Sequence, residues 1–270
     1  MRKKYSKVGS ACFKVVFGTC SGGLQMFTAT CAYIFFGWLF GGLVSGIAGI
    51  GGMMVALPII LLGMPVTDAI LTCCIIGAPG CTQLAWLYRK NVIWSDVLWL
   101  WASCVPGCLL GALALKIVPI QWLQIGISLM IACFVVLQII KKNKALHMKD
   151  SVISLIVTGL ASGFANSSVS VGGVPMGIFL LLKGWGPDRA RSTMTMLFLM
   201  SGWATLISQW AAGLYRLEFF QLAVAGIVAA FIGQKLGYII GRYLNQRIFT
   251  VLLLAFLSLS AVMLFYKAVV

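Results

Sequence analysis

Two groups of glycines and small polar residues have the types and the spacing of an anion-binding site. One group surrounds a diglycine at residues 51–52, and the other surrounds a diglycine at residues 172–173. Backbone N–H groups at a helix N-terminus bind anions without a formal cation, and glycine lets a ligand approach the backbone. We therefore predict that the substrate contacts come from both groups. The candidate residues are Ser45, Gly49, Gly51, Gly52, Thr72, Cys73, Ser162, Asn166, Ser167, Ser168, Ser170, Gly172, Gly173 and Thr193.

The two groups are copies of one another within an internal repeat. The pentapeptide Gly-Leu-Val-Ser-Gly at residues 42–46 returns as Gly-Leu-Ala-Ser-Gly at residues 159–163, a spacing of 117 residues. Later matches, such as Gly51 with Gly172, have a spacing of 121 residues, so the second copy carries about four extra residues near 166–170. Duplicated transporters commonly bind substrate near the bilayer midplane, between helices that are broken in equivalent places.

The composition is that of a protein embedded in lipid. Hydrophobic residues make up 61% of the 270 residues, charged residues make up 9%, and the mean hydropathy is +1.04. In a soluble domain roughly a quarter of the residues are charged. The apolar runs approach the ~20 residues that cross a bilayer as a helix, and the ~10-residue alternating segments of a membrane β-barrel are absent. The net charge of +15 lies mainly in the loops, as expected of topology signals rather than of nucleic-acid binding.

These features predict an all-α polytopic membrane protein made of two inverted repeats. Each repeat is expected to contain a broken or re-entrant helical hairpin and three transmembrane helices, because the short apolar segment after each diglycine cannot span a bilayer. Residues 8–26 are either an extra span or an interfacial segment, and the four basic residues before them favour the span. The predicted divisions are a basic N-terminal segment at 1–26, a first repeat at 27–140, a cytoplasmic linker at 141–150 and a second repeat at 151–270.

The distribution of basic residues predicts the orientation. If each broken segment enters and leaves on one side, each half crosses the membrane three times and the repeats are inverted. One side then receives 12 basic residues and the other receives 3, with the N-terminal segment set aside. The positive-inside rule makes the richer side cytoplasmic. If each broken segment crossed the membrane once, the counts would be 6 and 9, which favours neither orientation clearly.

The positions of the acidic residues argue against coupling of transport to a proton relay of buried carboxylates. Intramembrane carboxylates are the usual proton relays of pumps, but every acid of this chain falls near a predicted helix end. We therefore expect membrane potential, a proton carried on the anion, or exchange to drive transport. The five acids are Asp68, Asp96, Asp150, Asp188 and Glu218.

The order of the motifs resembles the TauE/SafE family, whose members are named as exporters or permeases of sulfite and organosulfonates. The shared pattern is Gly-Leu-x-Ser-Gly, a diglycine, a short apolar run, Gly-x-Pro-x-x-x-Ala-x-x-Thr and a basic turn. Residues 42–72, 89–94 and 159–193 carry it. The resemblance implies a duplicated carrier of small sulfur-containing or organic anions. The polar run at 166–170 and Cys73, where serine is frequent, depart from the family pattern at the predicted contacts and leave the substrate open.

We predict a secondary transporter that moves a small sulfur-containing anion, such as sulfite or a sulfonate, across the plasma membrane by alternating access. The alternatives are a carrier of another small organic or inorganic anion, an anion channel and an intramembrane enzyme. An enzyme is not expected, because the chain has no Walker A motif, zincin motif or nucleophile elbow. Its nine cysteines include no Cys-x-x-Cys pair, so no metal or cofactor is expected. The expected partners are the anion and the bilayer, without nucleic acid, and the oligomeric state stays open.

The same glycines and serines have a second interpretation. Small residues in membrane helices often mark places where two helices pack closely, without any ligand. The duplication of both diglycines, each followed by a short helix, favours a binding site for those two pairs.

Overall fold

The computed structural model of the chain describes residues 20–90, 92–119, 152–183 and 187–241, together with a few positions between 121 and 136. Within these residues it contains eight α-helices and no strand. The helices are α1 (Cys20–Ala48), α2 (Gly52–Ile60), α3 (Val66–Leu87), α4 (Trp94–Ile117), α5 (Val152–Val169), α6 (Gly173–Lys183), α7 (Pro187–Ala211) and α8 (Leu217–Gly241). The linker at 141–150, most of residues 120–140, residues 242–270 and residues 1–19 of the N-terminal segment lie outside the described residues.

Among the residues that the structure describes, five helices are long and apolar enough to cross a bilayer. They are Ala29–Ala48 within α1, and the whole of α3, α4, α5 and α8. The prediction of an all-helical polytopic membrane protein is therefore confirmed. The 25 residues of α7 extend over about 37 Å at 1.5 Å per residue, so α7 also has the length of a span. It is more polar than the others, because serine, threonine and glutamine residues line its buried side.

Both predicted interruptions are present in the structure. In the first half, α1 ends at Ala48 and α2 begins at Gly52, and in the second half α5 ends at Val169 and α6 begins at Gly173. The two ends and the two starts are each 121 residues apart, which is the spacing of the repeat. With 9 residues in α2 and 11 in α6, neither short helix reaches the ~20 residues of a transmembrane span.

The extra residues of the second copy form one more helical turn. Gly46 lies two residues before the end of α1, whereas Gly163, its counterpart, lies six residues before the end of α5. Four residues are close to one turn of 3.6, so the added turn keeps the same helix face. Helix α5 continues through most of the polar run at 166–170 and ends at Val169. Two polar groups of this run have partners inside the protein, since Ser168 Oγ donates to the Phe164 carbonyl at 2.7 Å and Asn166 Nδ2 donates to Thr205 Oγ1 at 2.9 Å.

Each half packs a helix against a helix of the other half, and glycines line both of these crossings. Helix α1 of the first half packs along α8 of the second, and α5 of the second half packs along α4 of the first. At each crossing the glycines of one helix face backbone carbonyls of the other, and an added Cβ would collide with them. This reciprocal packing is what a two-fold relation between the halves produces, while their inverted orientation stays a prediction. The glycines are Gly42, Gly46, Gly233 and Gly237 at the first crossing, and Gly107, Gly111, Gly159 and Gly163 at the second.

Alanine at Gly163 is expected to destabilise the second crossing. Its Cβ would collide with the Cys104 carbonyl oxygen, and overpacking of this kind costs about 1–3 kcal/mol. Gly126→Ala is the matched control, since nothing lies within 4 Å of a Cβ at Gly126. The apparent Tm of the purified variants in detergent should fall only for Gly163→Ala, and equal changes in both variants would contradict the packing role.

Candidate functional site

A cavity of about 60 Å³ lies between the two helix breaks. A buried water needs roughly 10–15 Å³ of such space. The cavity therefore has room for roughly four to six waters, or for a compact anion of similar size. Both halves of the chain line it with residues that the sequence singled out. These are Ser45, Gly49, Gly51 and Gly52 from the first half, and Asn166, Ser170 and Gly173 from the second.

Glycine is required by the backbone of the first break. Gly49 has a φ of 78° and Gly51 has a φ of 90°, values that other residues rarely adopt. The Gly49 N–H closes α1 by donating to the Ser45 carbonyl at 2.7 Å, and Gly51 caps α2 without a side-chain hydrogen bond. The first intrahelical bond of α2 is that of Val55 N–H to the Gly51 carbonyl. The amides of Gly52 and Met53 precede it, so they face outward from the positive end of the α2 dipole.

Ser170 takes the place of a glycine at the second break. Its φ is 60°, and its N–H closes α5 by donating to the Asn166 carbonyl at 2.9 Å, as Gly49 closes α1. Contacts with α3 hold this unfavourable conformation, because Ser170 Oγ donates to the Ile70 carbonyl at 3.1 Å and lies 3.1 Å from Cys74 Sγ. The hydroxyl group that departs from the family pattern thus connects the break to α3.

The two breaks approach each other across the cavity. Met54, in the first turn of α2, reaches towards the start of α6, and a Cβ on Gly173 would lie 2.8 Å from the Met54 methyl carbon. Helix N-termini from both halves therefore face the same small space, and their partial positive charges add there.

Seven of the candidate residues do not line the cavity. Ser162 Oγ donates to the Gly172 carbonyl at 2.7 Å and holds the second break, while Thr193 Oγ1 accepts the Ile93 N–H at 3.2 Å. The hydroxyl groups of Thr72 and Ser167 are buried and have no hydrogen-bond partner in the part of the chain that the structure describes. A binding role for these residues stays a prediction. The seven are Thr72, Cys73, Ser162, Ser167, Ser168, Gly172 and Thr193.

Two of the polar side chains that line the cavity without having been singled out by the sequence analysis have an atom with no hydrogen-bond partner among the described residues. Trp38 of α1 and Gln234 of α8 are each only 2% exposed. Among the described residues, neither the Trp38 indole N–H, which lies beside the Cys73 thiol, nor the amide oxygen of Gln234 has a hydrogen-bond partner. An unsatisfied buried polar group costs about 1–3 kcal/mol, so these atoms mark positions where a bound molecule would be favoured.

Both residues carried a signal that sequence reasoning could have used. Trp38 precedes Ser45 by 7 residues, so both share one face of α1, and Gly49 follows directly after the end of that helix. Gln234 is an uncharged amide within an apolar span, and such residues in membrane helices form interhelical or ligand contacts.

Helix α7 provides the polar wall of the site. Its Thr195 lines the cavity, and further along it Thr205 Oγ1 accepts a hydrogen bond from Asn166 Nδ2 at 2.9 Å. Gln209 Nε2 donates to the Ser167 carbonyl at 2.6 Å, so α7 also holds the polar turn of α5. The buried polar residues of α7 are Ser192, Thr193, Thr195, Ser201, Thr205, Ser208 and Gln209.

The cavity carries no formal charge among the residues that the structure describes. The described acids, Asp68, Asp96, Asp188 and Glu218, each lie in the first turn of a helix, where the dipole stabilises them. Their predicted position at helix ends is confirmed, while Asp150 lies outside the described residues. In the same part of the chain, no group of three or more His, Cys, Asp or Glu residues is placed to bind a metal ion.

Comparison with known families gives one match that covers this whole site. The family model described as "Sulfite exporter TauE/SafE" matches residues 34–264. The matched region includes both breaks, the cavity and both glycine-lined crossings. No curated protein and no solved structure matches the chain.

Proposed function

This chain belongs to the TauE/SafE family of membrane transporters, and we propose that it is a secondary transporter of a small sulfur-containing anion across the plasma membrane. The observation that supports the proposal most directly is the uncharged cavity between two helix N-termini, whose wall includes Trp38, a residue with a buried indole N–H that has no hydrogen-bond partner among the described residues. The groups that favour an anion there are neutral donors and helix dipoles.

Neutral donors suit an anion that has to leave again. Each helix N-terminus contributes roughly half a positive charge, and the N–H groups of Gly52, Met53 and Trp38 add directed hydrogen bonds. A transported ion must bind strongly enough to enter a site and weakly enough to leave it. A cavity of this composition meets both conditions without an ion pair that would have to be broken in each cycle.

The size of the cavity favours a compact oxyanion. Sulfite has three oxygen atoms that accept hydrogen bonds in several directions, which matches donors on both sides of the cavity. A longer organosulfonate needs extra room, and the flexible Met54 side chain between the breaks is the group most easily displaced. We therefore propose sulfite as the first substrate to test, with sulfonates as larger members of the same class.

Alternating access is proposed to occur between the two glycine-packed helix pairs. Trp38, Ser45 and Gln234 approach the cavity from the α1–α8 pair, whereas Asn166 and Ser170 approach it from α5, which packs along α4. Rocking of one pair against the other would open the cavity to each side in turn, as in other transporters built from repeats.

A ligand screen tests the proposed substrate class. Purified protein is heated in the presence of sulfite, thiosulfate, sulfoacetate, taurine, sulfate or organic acids, and the apparent Tm is measured. A ligand at 100 times its Kd stabilises the folded state by about 2.7 kcal/mol, or roughly 5–10 °C for a chain of this size. The proposal predicts such a shift for sulfite or another sulfur-containing anion. Stabilisation by carboxylates alone would contradict the substrate class.

Measurements in proteoliposomes distinguish transport by a carrier from conduction by a channel. A carrier shows saturable uptake of labelled anion and counterflow, in which unlabelled anion on one side draws labelled anion across. Single-channel currents without counterflow would contradict the proposed mechanism while leaving the binding site in place.

A further inference from the structure

A second cavity of about 520 Å³ opens beside the first one, at the ends of α3, α7 and α8. Its wall includes two basic residues, one acid and three hydroxyl groups. They are Lys90, Arg191, Asp188, Tyr88, Ser192 and Tyr238. These six residues define what we call the vestibule, and its two basic residues are on the side that the count of basic residues predicts to be cytoplasmic.

The cations of the vestibule are available to a ligand. Among the described residues no carboxylate lies within ion-pair distance of Arg191 or Lys90. The neighbouring Arg89 is different, since its guanidinium lies 4.2 Å from the ring centroid of Trp86, a residue that is 68% exposed. Arg89 is thus engaged on the outer surface, and Arg191 and Lys90 are the basic residues that line the vestibule.

Arg191 lies at the wall between the vestibule and the central cavity. A Cβ on Gly49 would be 3.4 Å from both Cβ and Cγ of Arg191, and Gly49 lines the central cavity. Thr195, one turn further along α7, lines that cavity too and donates its hydroxyl to the Arg191 carbonyl at 2.9 Å. One helical turn therefore separates the basic site from the neutral one.

Tyr88 forms part of the partition between the two spaces. Its hydroxyl donates to the Gly46 carbonyl at 2.6 Å, and its ring packs edge-on against Tyr238 with centroids 5.2 Å apart. Burial raises the pKa of the Tyr88 hydroxyl, although the nearby Arg191 guanidinium lowers it in part. The hydroxyl is therefore protonated at neutral pH and connects the end of α3 to the end of α1.

We infer that the vestibule is a second oxyanion site, at which Arg191 binds the anion before it enters the central cavity. This inference rests on the proposed function. The planar guanidinium offers paired N–H donors that match two oxygens of an oxyanion, and Lys90 attracts anions to the opening. A lipid phosphate has the same chemistry as a free oxyanion, so the experiment distinguishes the two sources.

The test uses the full-length protein in phosphatidylcholine vesicles, with sulfite as the probe. We expect Arg191→Gln to raise the KM for sulfite supplied from the vestibule side by roughly tenfold or more, because it removes a charge-assisted hydrogen bond. The kcat and the KM measured from the opposite side should change little. Arg191→Lys should retain part of the affinity, and the matched control Arg89→Gln should behave as wild type.

The outcomes separate the inference from the proposed function. Wild-type transport with an unchanged KM in Arg191→Gln would overturn the inference and leave the proposed function standing. A wild-type protein that neither binds nor transports sulfite or the other anions of the ligand screen would overturn the proposed function itself. If phosphatidylglycerol raises the Tm of wild type but not of Arg191→Gln, and the sulfite KM is equal in both, the vestibule holds a lipid headgroup and the inference is overturned.

Discussion

Leucine at Gly173 is expected to reduce sulfite transport by roughly a hundredfold or more, which corresponds to ~2.7 kcal/mol of binding free energy. The four side-chain carbons would occupy a cavity of only about 60 Å³ and cover the first amides of α6. The fold should tolerate the change, because the nearest atom to a new Cβ is the methyl carbon of Met54 at 2.8 Å, the far end of a flexible side chain. The measurement is the initial rate of labelled sulfite uptake, beside the apparent Tm.

The equivalent glycine of the first break does not allow the same experiment. A Cβ on Gly52 would lie 2.9 Å from the Gly41 carbonyl oxygen and from two atoms of Ser45, so leucine there would force α1 and α2 apart.

Gly126→Leu is the appropriate control for Gly173→Leu, since a Cβ at Gly126 meets nothing within 4 Å. If Gly173→Leu is folded and transports sulfite with the wild-type KM, the substrate does not pass between the breaks.

Replacement of Trp38 by phenylalanine is expected to change affinity and stability in opposite directions. The substitution keeps an aromatic ring and removes the N–H, so it deletes one hydrogen bond to a charged ligand. Such bonds contribute about 1.5–3 kcal/mol, which predicts a rise in Kd of roughly 10–100-fold. The ligand-free protein should be as stable as wild type or more stable, because a buried donor without a partner has been removed.

A second tryptophan supplies the control for this experiment. Trp203 Nε1 donates to Thr82 Oγ1 at 3.2 Å, and Trp203 does not line the cavity. Trp203→Phe should therefore leave the sulfite Kd unchanged. The two quantities to measure are the Kd by calorimetry and the apparent Tm without ligand. A Trp38→Phe protein with lower stability and unchanged Kd would show that the indole serves packing alone.

The sequence was sufficient to predict the features that depend on local chemistry. Both breaks follow from the diglycines, and the structure places the helix ends and starts at the same 121-residue spacing. The acids could be assigned to helix ends because a carboxylate is costly inside lipid and stabilised at a helix N-terminus. The four additional residues of the second copy were also recognised, although their helical conformation was not.

The features that depend on contacts between distant helices could not be read from the sequence. Trp38 and Gln234 meet at the cavity only because α1 packs along α8, and each looks like an ordinary residue of an apolar span. Thr72 does not line the cavity, and this too depends on how α3 packs against its neighbours. The Gly-Leu-x-Ser-Gly motif combines two roles, since Gly42 and Gly46 pack against α8 while Ser45 faces the cavity.

The pairing of α1 with α8 has a consequence for biogenesis. Gly46 emerges from the ribosome long before Gln234, the residue it packs against. At about 5–20 residues per second of synthesis, α1 waits in the membrane for roughly ten seconds or more without its neighbour. During that interval the glycine-lined face of α1 that packs along α8 lacks its partner helix. The central cavity is thus completed only after α8 has been synthesised.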